Sequence, residues 1–479
     1  MSLLIKNGTV VTAENTLKAD VLCESEIISV VGPNLDAPGN TEIIDATGKY
    51  VFPGFIDPHV HVHLPFMGTH ASDDYESAGK AALIGGTTTL IEMCCPSQND
   101  DPLEAFQVWN EKAASLSPCD YSFHMAVTRF DDDTPAKLKQ IVNEHGIASF
   151  KVFLAYKGAF HLHDHELFRT LKLAKELGVI VTAHCENAHL IEELQNQLLA
   201  EGKTGPEWHE PSRPMAVEAE GCHHLMTFAE LTGAHVYVVH TSCQPAIDTI
   251  IAAREKRGVN VWIETVIPYL VLDKTYAEKP GFEGAKYVMS PPIREAAQQD
   301  LLWQALADGT ISTVATDHAP FHFKSQKHMG HPHPEKRLDH EATPVGEAGN
   351  FTLIPNGIPS IEDRINLLYT HGVAKNRIDL QTFVKVASTE AAKLFGLHPQ
   401  KGEISPGSDA DLVVYDPDYR GTIAAASHTM NTDYSAFEGW PIEGRPSLVT
   451  VRGEVAVRDG KFTGTLGRGR LLKRKPTHA

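Results

Sequence analysis

From Gly54 onward, apolar runs of four to eight residues alternate with longer amphipathic stretches, and this rhythm constrains the fold more than any other feature of the chain. The runs are "TTTLIEMCC", "YSFHMAVT", "ASFKVFLAY", "VIVTAHCEN", "HVYVVHTS", "VNVWIETV" and "STVATDHAPF". Between them lie helix-like segments such as "HELFRTLKLAKELG" and "PAIDTIIAAREKRG". Buried strands that alternate with helices form parallel βα units. A further strand ending at His61 brings the count to eight, the number that closes a (β/α)8 TIM barrel.

The two ends of the chain differ from the middle and resemble each other. Short strands and turns fill "LLIKNGTVVT", "ADVLCESEIISVVG" and "TEIIDATGKYVFPG". After helical segments near 379–396, strand signals return in "ADLVVYDPD" and "SLVTVRGEVAVRDGKF". Residues 1–53 and 399–465 are therefore expected to form one small β-sandwich domain from both termini, with the barrel, 54–398, inserted between them. With 479 residues, a large domain plus a smaller one is the natural division. Asn7-Gly8 signals a hairpin turn. The tail, 466–479, is basic through Arg468, Arg470, Lys473, Arg474 and Lys475, and reads as a frayed, solvated end, with docking on an acidic neighbouring subunit as the alternative.

Composition narrows the function. A net charge of −19 argues against nucleic acid and anionic membranes as partners. No apolar run reaches the length of a membrane span, and "MSLLIKNGTVVTAEN" lacks the layout of a signal peptide. The seven cysteines are scattered without a C-x-x-C pair, which points to reduced thiols in a cytoplasmic protein.

The chemistry is written at the strand ends, where barrel enzymes place their catalytic groups. In "GFIDPHVHVHLPF", His59 and His61 end the first strand. Lys151 sits within the fourth, His184 ends the fifth, His240 the sixth and Asp317 the eighth. Imidazole and carboxylate suit zinc and similar divalent ions. Lys151 lies among Phe150, Val152 and Phe153, so its ammonium would be poorly hydrated and its pKa lowered. A neutral amine can take up carbon dioxide as a carbamate, whose two oxygens can bridge two metals. Taken alone, the same lysine could lay its stem in the wall or pair with a carboxylate.

These residues stand inside an ordered series of motifs: "PGFIDPHVH", "FMGT", "GGTTT", "SFKVFLAYKG", "TAHCEN", "SRP" followed by "VEAE", "VVHTS", "GAKYVMSPPIR", "ATDHAPF", "IPNGIPSIEDR" and "KGEISPGSDADLVVYDP". The series resembles the amidohydrolase superfamily over nearly the whole chain, specifically its dihydropyrimidinase and hydantoinase group of cyclic amidases. The resemblance implies two divalent metals, zinc foremost, with manganese or cobalt as alternatives. One ion would be held by His59, His61 and Asp317, the other by His184 and His240. Lys151, carbamylated by carbon dioxide, and a hydroxide would bridge them. The implied reaction is attack of that hydroxide on a ring amide of dihydropyrimidines or 5-substituted hydantoins, giving N-carbamoyl amino acids. Asp317 would shuttle the proton and Tyr156 would hydrogen-bond the oxyanion. Ser290 and Asn356 would read the cyclic imide through backbone groups. Phe66, Phe153 and Phe160 would line the substituent pocket, although plain core packing also accounts for them. A homotetramer is implied by resemblance alone. Another cyclic-ureide enzyme, such as an allantoinase, or a non-catalytic scaffold relative are the rival readings.

His63 is taken as a residue at the pocket mouth. Dihydroorotases carry arginine at that place, which disfavours a carboxylated ring here. The chain departs from the resemblance in "ETVIPYL", where the family shows something like E-T-C-P-Q-Y-L. It also departs in the long stretch between Phe321 and Ile354, with His322, His328, His331, His333 and His340. That stretch is expected to be a solvated loop, with a second metal site as the alternative.

Overall fold

Eight parallel strands carry the middle of the chain in the computed structural model, which describes residues 2–332 and 349–478. They are β1 (Phe55–Val60), β2 (Thr87–Cys94), β3 (Asp120–Ala126), β4 (Ser149–Phe153), β5 (Ile180–His184), β6 (Val236–Val238), β7 (Val261–Val266) and β8 (Thr313–Ala315). Each pairs with its neighbours in sequence order. A parallel bridge between Val60 and His318 closes the ring. Inside that seam the buried Arg364 donates through Nη1 to the carbonyls of Ile56 and Val314, at 2.8 and 3.0 Å, and so ties β1 to β8. Helices cover the outside, so β2 is buried along its whole length. The helices Asp164–Leu177 and Gln244–Arg257 occupy the predicted segments, and each stops at a left-handed glycine, Gly178 or Gly258.

Both termini build a nine-stranded sheet. The two halves meet where Tyr50–Pro53 pairs antiparallel with Leu412–Thr422. Leu3, Ile5, Val21, Ile28, Val51, Leu412, Val414 and Leu448 share the apolar cluster of this small β-sandwich. The eight-strand barrel and the sandwich are the expected architecture. Each of the seven cysteines is a free, buried thiol. Among the described residues, no helix is long and apolar enough to cross a membrane.

Three local expectations fail. Asn7-Gly8 makes a bulge rather than a hairpin turn. The strand Ser2–Val11 runs straight through it, with a register shift between Ile5 and Gly8 and Asn7 at φ 64°. The chain reverses instead near Thr12–Asn15, where the Thr12 N–H donates to the Asn15 carbonyl at 2.9 Å. Gly8 is required because a Cβ there would stand 2.6 Å from Val51.

The tail is not frayed. It crosses from the sandwich to the barrel: Leu471 bridges Tyr121, and the Ser122 hydroxyl donates to the Leu472 carbonyl at 3.0 Å. Arg474 is buried and donates to Ser122 Oγ, Ser149 Oγ and the carbonyls of Phe123 and Phe395. Its charge selects a cradle of oxygens at the amino ends of β3 and β4, which solvent would otherwise have to fill. Arg474→Ala should therefore cost roughly 3 kcal/mol, because buried acceptors lose their donor. Calorimetry should register this as a melting temperature several degrees lower. An unchanged melting temperature would mean that the strap contributes nothing.

The stretch after Phe321 is not a solvated loop where it is described. Lys327, Gly330, His331 and Phe351 are buried, and Phe351 and Ile354 share an apolar cluster with Val288. His333 and His340 lie outside the described residues. His322 stands 4.0 Å from Asp433, while the rings of His328 and His331 pack 4.8 Å apart.

Candidate metal centre and active site

Inward and outward side chains alternate along a barrel strand. On β4 this sends Lys151 and Phe153 inward and Phe150 and Val152 toward the helices. On β1 it brings His59 inward, and His61 follows just past the strand end. His240 and Asp317 each lie two residues beyond their strands, and both have left-handed backbones, φ 39° and φ 51°. Tyr156 shares that conformation at φ 61°. Such backbones are costly for residues other than glycine and cluster where function demands an exact aim.

All the predicted site residues line one inner chamber of about 30 Å³: the four histidines, Lys151 and Asp317, with Phe66, Phe153, Tyr156, Phe160, Ser290 and Asn356. It adjoins an outer cavity of about 630 Å³ that shares Phe66, Tyr156, Phe160 and Asn356. Asp317 Oδ1 stands 3.2 Å from His59 Nε2 and 3.1 Å from His61 Nε2. The rings of His59 and His240 lie 5.3 Å apart, and those of His184 and His240 4.5 Å. Ligand atoms of His59, His240 and Asp317 all fall within 4.8 Å of one another.

The residues fit a metal. His59 Nε2, His61 Nδ1, His240 Nδ1 and Lys151 Nζ are buried and make no hydrogen bond among the described residues. Buried nitrogens left without a partner around one chamber are a heavy cost in a folded protein unless something binds them. Burial holds His59 and His240 well below the usual imidazole range, and His184 is lowered by the same cause. The neutral ring is the form that ligates. Burial also brings Lys151 down to about 8.

Three buried residues that the sequence patterns assign no role support these ligands. Glu264, in "ETVIPYL", accepts from His59 Nδ1 at 2.7 Å and from the His240 N–H at 3.0 Å. This turns His59 Nε2 toward the chamber. Glu186, in "TAHCEN", accepts from His184 Nε2 at 2.7 Å, which frees Nδ1, and from Arg213 of "SRP" at 2.6 Å. Burial opposes the Glu186 charge, but Arg213 and His184 outweigh it and hold the carboxyl at about 2. The displaced proline of "ETVIPYL" starts a short helix, Ile267–Val271, directly after β7. His63 is corrected: it lines neither the chamber nor the outer cavity. β1 has ended by then, so strand alternation no longer aims the side chain. Its ring packs 4.8 Å from His70. Phe66 instead reaches the pocket from a small hairpin, Pro65–Phe66 against Thr69–His70.

A (β/α)8 barrel with this polar ring at the carboxyl ends of its strands has the architecture of a metal-dependent amidohydrolase, and the amidohydrolase family profile matches residues 50–456. D-hydantoinase of Geobacillus stearothermophilus is 47% identical over 474 residues, 99% of this chain and 97% of that one. Dihydropyrimidinase of Rattus norvegicus is 37% identical, covering 99% and 89%. The solved structure of a D-hydantoinase (dihydropyrimidinase) from Thermus sp. superposes with a TM-score of 0.94, at 59% identity and full coverage of both chains. The chain belongs to the amidohydrolase family, within its hydantoinase and dihydropyrimidinase group.

Proposed function

We propose that the chain is a metal-dependent cyclic amidase, opening the ring amide of 5-substituted hydantoins or dihydropyrimidines to N-carbamoyl amino acids. One observation carries the reading: Lys151 Nζ, fully buried and without a hydrogen-bond partner, faces the same chamber as four histidines and Asp317. His59, His61 and Asp317 would hold one divalent ion, and His184 and His240 a second, with zinc first among the metals. Lys151 would be shared between them as its carbamate: the amine adds to carbon dioxide, an N–C bond forms, and a proton leaves to solvent. When bound, the ions supply an acidified water and a polarised ring carbonyl near neutral pH.

The chain supplies the rest. Burial works against the Asp317 charge, yet the imidazole nitrogens of His59 and His61, 3.2 and 3.1 Å from Oδ1, outweigh it as polar contacts and hold the carboxyl below its usual range. It is therefore ionised and can accept the water proton, then give it to the ring nitrogen as the C–N bond breaks. Burial raises Tyr156, so its phenol stays protonated and donates to the oxyanion. Ser290 and Asn356, joined by a 2.9 Å bond from Asn356 Nδ2 to Ser290 Oγ, present backbone groups to the imide. Phe153 and Phe160 pack 5.1 Å apart, with Phe66 stacked on Phe160 at 6.0 Å, and form an aromatic wall for the ring substituent. The same reading takes the enzyme to be a cytoplasmic homotetramer.

A hydrolysis panel of dihydrouracil, hydantoin, both enantiomers of 5-phenylhydantoin, allantoin and dihydroorotate tests the reading, with elemental analysis expected to find two ions per chain. No ring opening by the metal-replete protein would overturn it. Dihydroorotate should be at least about a hundredfold poorer than hydantoin in kcat/KM. Arg213, the buried cation of the outer cavity, is already committed to Glu186, and a buried carboxylate without a partner costs several kcal/mol. Phe153→Ala should weaken 5-phenylhydantoin turnover more than dihydrouracil turnover, because only the former needs the wall. Equal losses on both would assign Phe153 to the core.

A further inference from the structure

We propose that Lys327 is a positioning residue whose buried ammonium locks the backbone segments around Ser290 and Asn356 into one imide-reading frame. The inference rests on the reading of those two residues given above. Lys327 is completely buried, and its Nζ donates to three backbone carbonyls: Val288 at 2.9 Å, Pro355 at 2.6 Å and Gly357 at 2.8 Å. Val288 lies two residues before Ser290, and Pro355 and Gly357 flank Asn356 on both sides. One side chain therefore holds both segments from behind, while Ser290 and Asn356 line the chamber in front.

The segments are also joined directly. The Gly357 N–H donates to the Val288 carbonyl at 2.9 Å. Gly357 presses on Ala319, where an added Cβ would stand 2.3 Å from the carbonyl oxygen. His209 Nε2 meets the Met289 carbonyl at 2.8 Å. What distinguishes Lys327 is its charge. Among the described residues, no carboxylate pairs with it. Burial alone drives such an amine toward the neutral form. A neutral amine, however, has two N–H donors and would turn its lone pair on the third oxygen. Three carbonyls at these distances match the three donors of an ammonium.

A buried cation without a counter-ion is costly, and an apolar side chain would fill the space at less cost. The charge has a use at this position. The Pro355 carbonyl belongs to the same peptide as the Asn356 N–H. Donation to that oxygen polarises the peptide and strengthens the N–H as a donor toward the ring. Because the imide is read in the ground state and the transition state alike, losing this support should raise KM and leave kcat nearly unchanged.

The test uses the full-length holoenzyme, with wild type, Lys327→Met and Lys327→Ala assayed on hydantoin and dihydrouracil, and metal content measured throughout. Lys327→Met should raise KM about tenfold or more, with kcat altered less than about threefold and metal content unchanged. Propylammonium should restore part of the lost affinity to Lys327→Ala, whereas propanol should not. An unchanged KM, a loss confined to kcat, or equal rescue by propanol would overturn the assignment. Variants that lose metal or fail to fold would overturn it too, since Lys327 would then serve the fold. Absence of turnover in wild type would instead strike the functional reading, so the two failures are told apart in the same series.

Discussion

Lys151→Ala is expected to abolish turnover, and short carboxylic acids such as acetate or propionate to restore part of it. The side chain is fully buried on β4, its Nζ lies 4.9 Å from the Phe153 ring, and among the described residues it has no hydrogen-bond partner. If its carbamate is shared by two ions, alanine removes a ligand from both at once. The loss should run well beyond the roughly 10–100-fold in affinity or activity that follows removal of a partner that merely orients a ligand. Acetate is the size of the missing carboxylate and could occupy its place without the stem. The assay is turnover of metal-replete variant against added acid, with metal content read in parallel. Full activity without added acid would make Lys151 a wall residue and remove the bridging role.

Asp317→Asn should lower kcat by roughly 10²–10⁴-fold, the range for a lost general base, and by more if metal also leaves. The amide keeps the shape of the carboxylate, so it can occupy the same place near His59 and His61, 3.2 and 3.1 Å from Oδ1 in the native chain. It cannot accept the water proton. Binding of the ring should survive, because Ser290, Asn356 and the aromatic wall are untouched. The measurement is single-turnover kinetics beside elemental analysis. Near-normal turnover in a metal-replete variant would refute the proton shuttle.

Of the two positions, Lys151 stands on β4, where strand alternation makes its inward aim legible, whereas Asp317 lies two residues past β8 on a left-handed backbone. His59, Lys151 and His184 stand on strands whose apolar runs are local in sequence, and a period of two fixes which side chains turn inward. The rhythm of runs and amphipathic segments likewise carried the barrel, because each βα unit is built from neighbours in the chain. His61 and His63 both lie past β1, and only His61 reaches the chamber. The period applies only while the strand lasts, and β1 stops at Val60.

Local pattern is enough to read the eight strands, the sandwich made from both termini and the six polar residues at the strand ends, while Tyr156, Ser290, Asn356 and the three phenylalanines follow from the family resemblance. Long-range packing sets everything else. Glu264 reaches His59 across 205 residues and sets which imidazole nitrogen faces inward. Arg474 reaches Ser122 across 352 residues and turns an apparent loose end into a strap. Lys327, in a stretch that reads as solvated loop, reaches the carbonyls of Val288, Pro355 and Gly357 outside it. Asn7-Gly8 becomes a bulge because Asp20 on the neighbouring strand accepts the Asn7 N–H at 2.8 Å. In each case the partner is a polar group distant in sequence, and a buried hydrogen bond leaves no periodic trace in the chain that makes it. Hydrophobic alternation is a property of adjacent residues, whereas the satisfaction of a buried charge is a property of whatever the fold brings beside it.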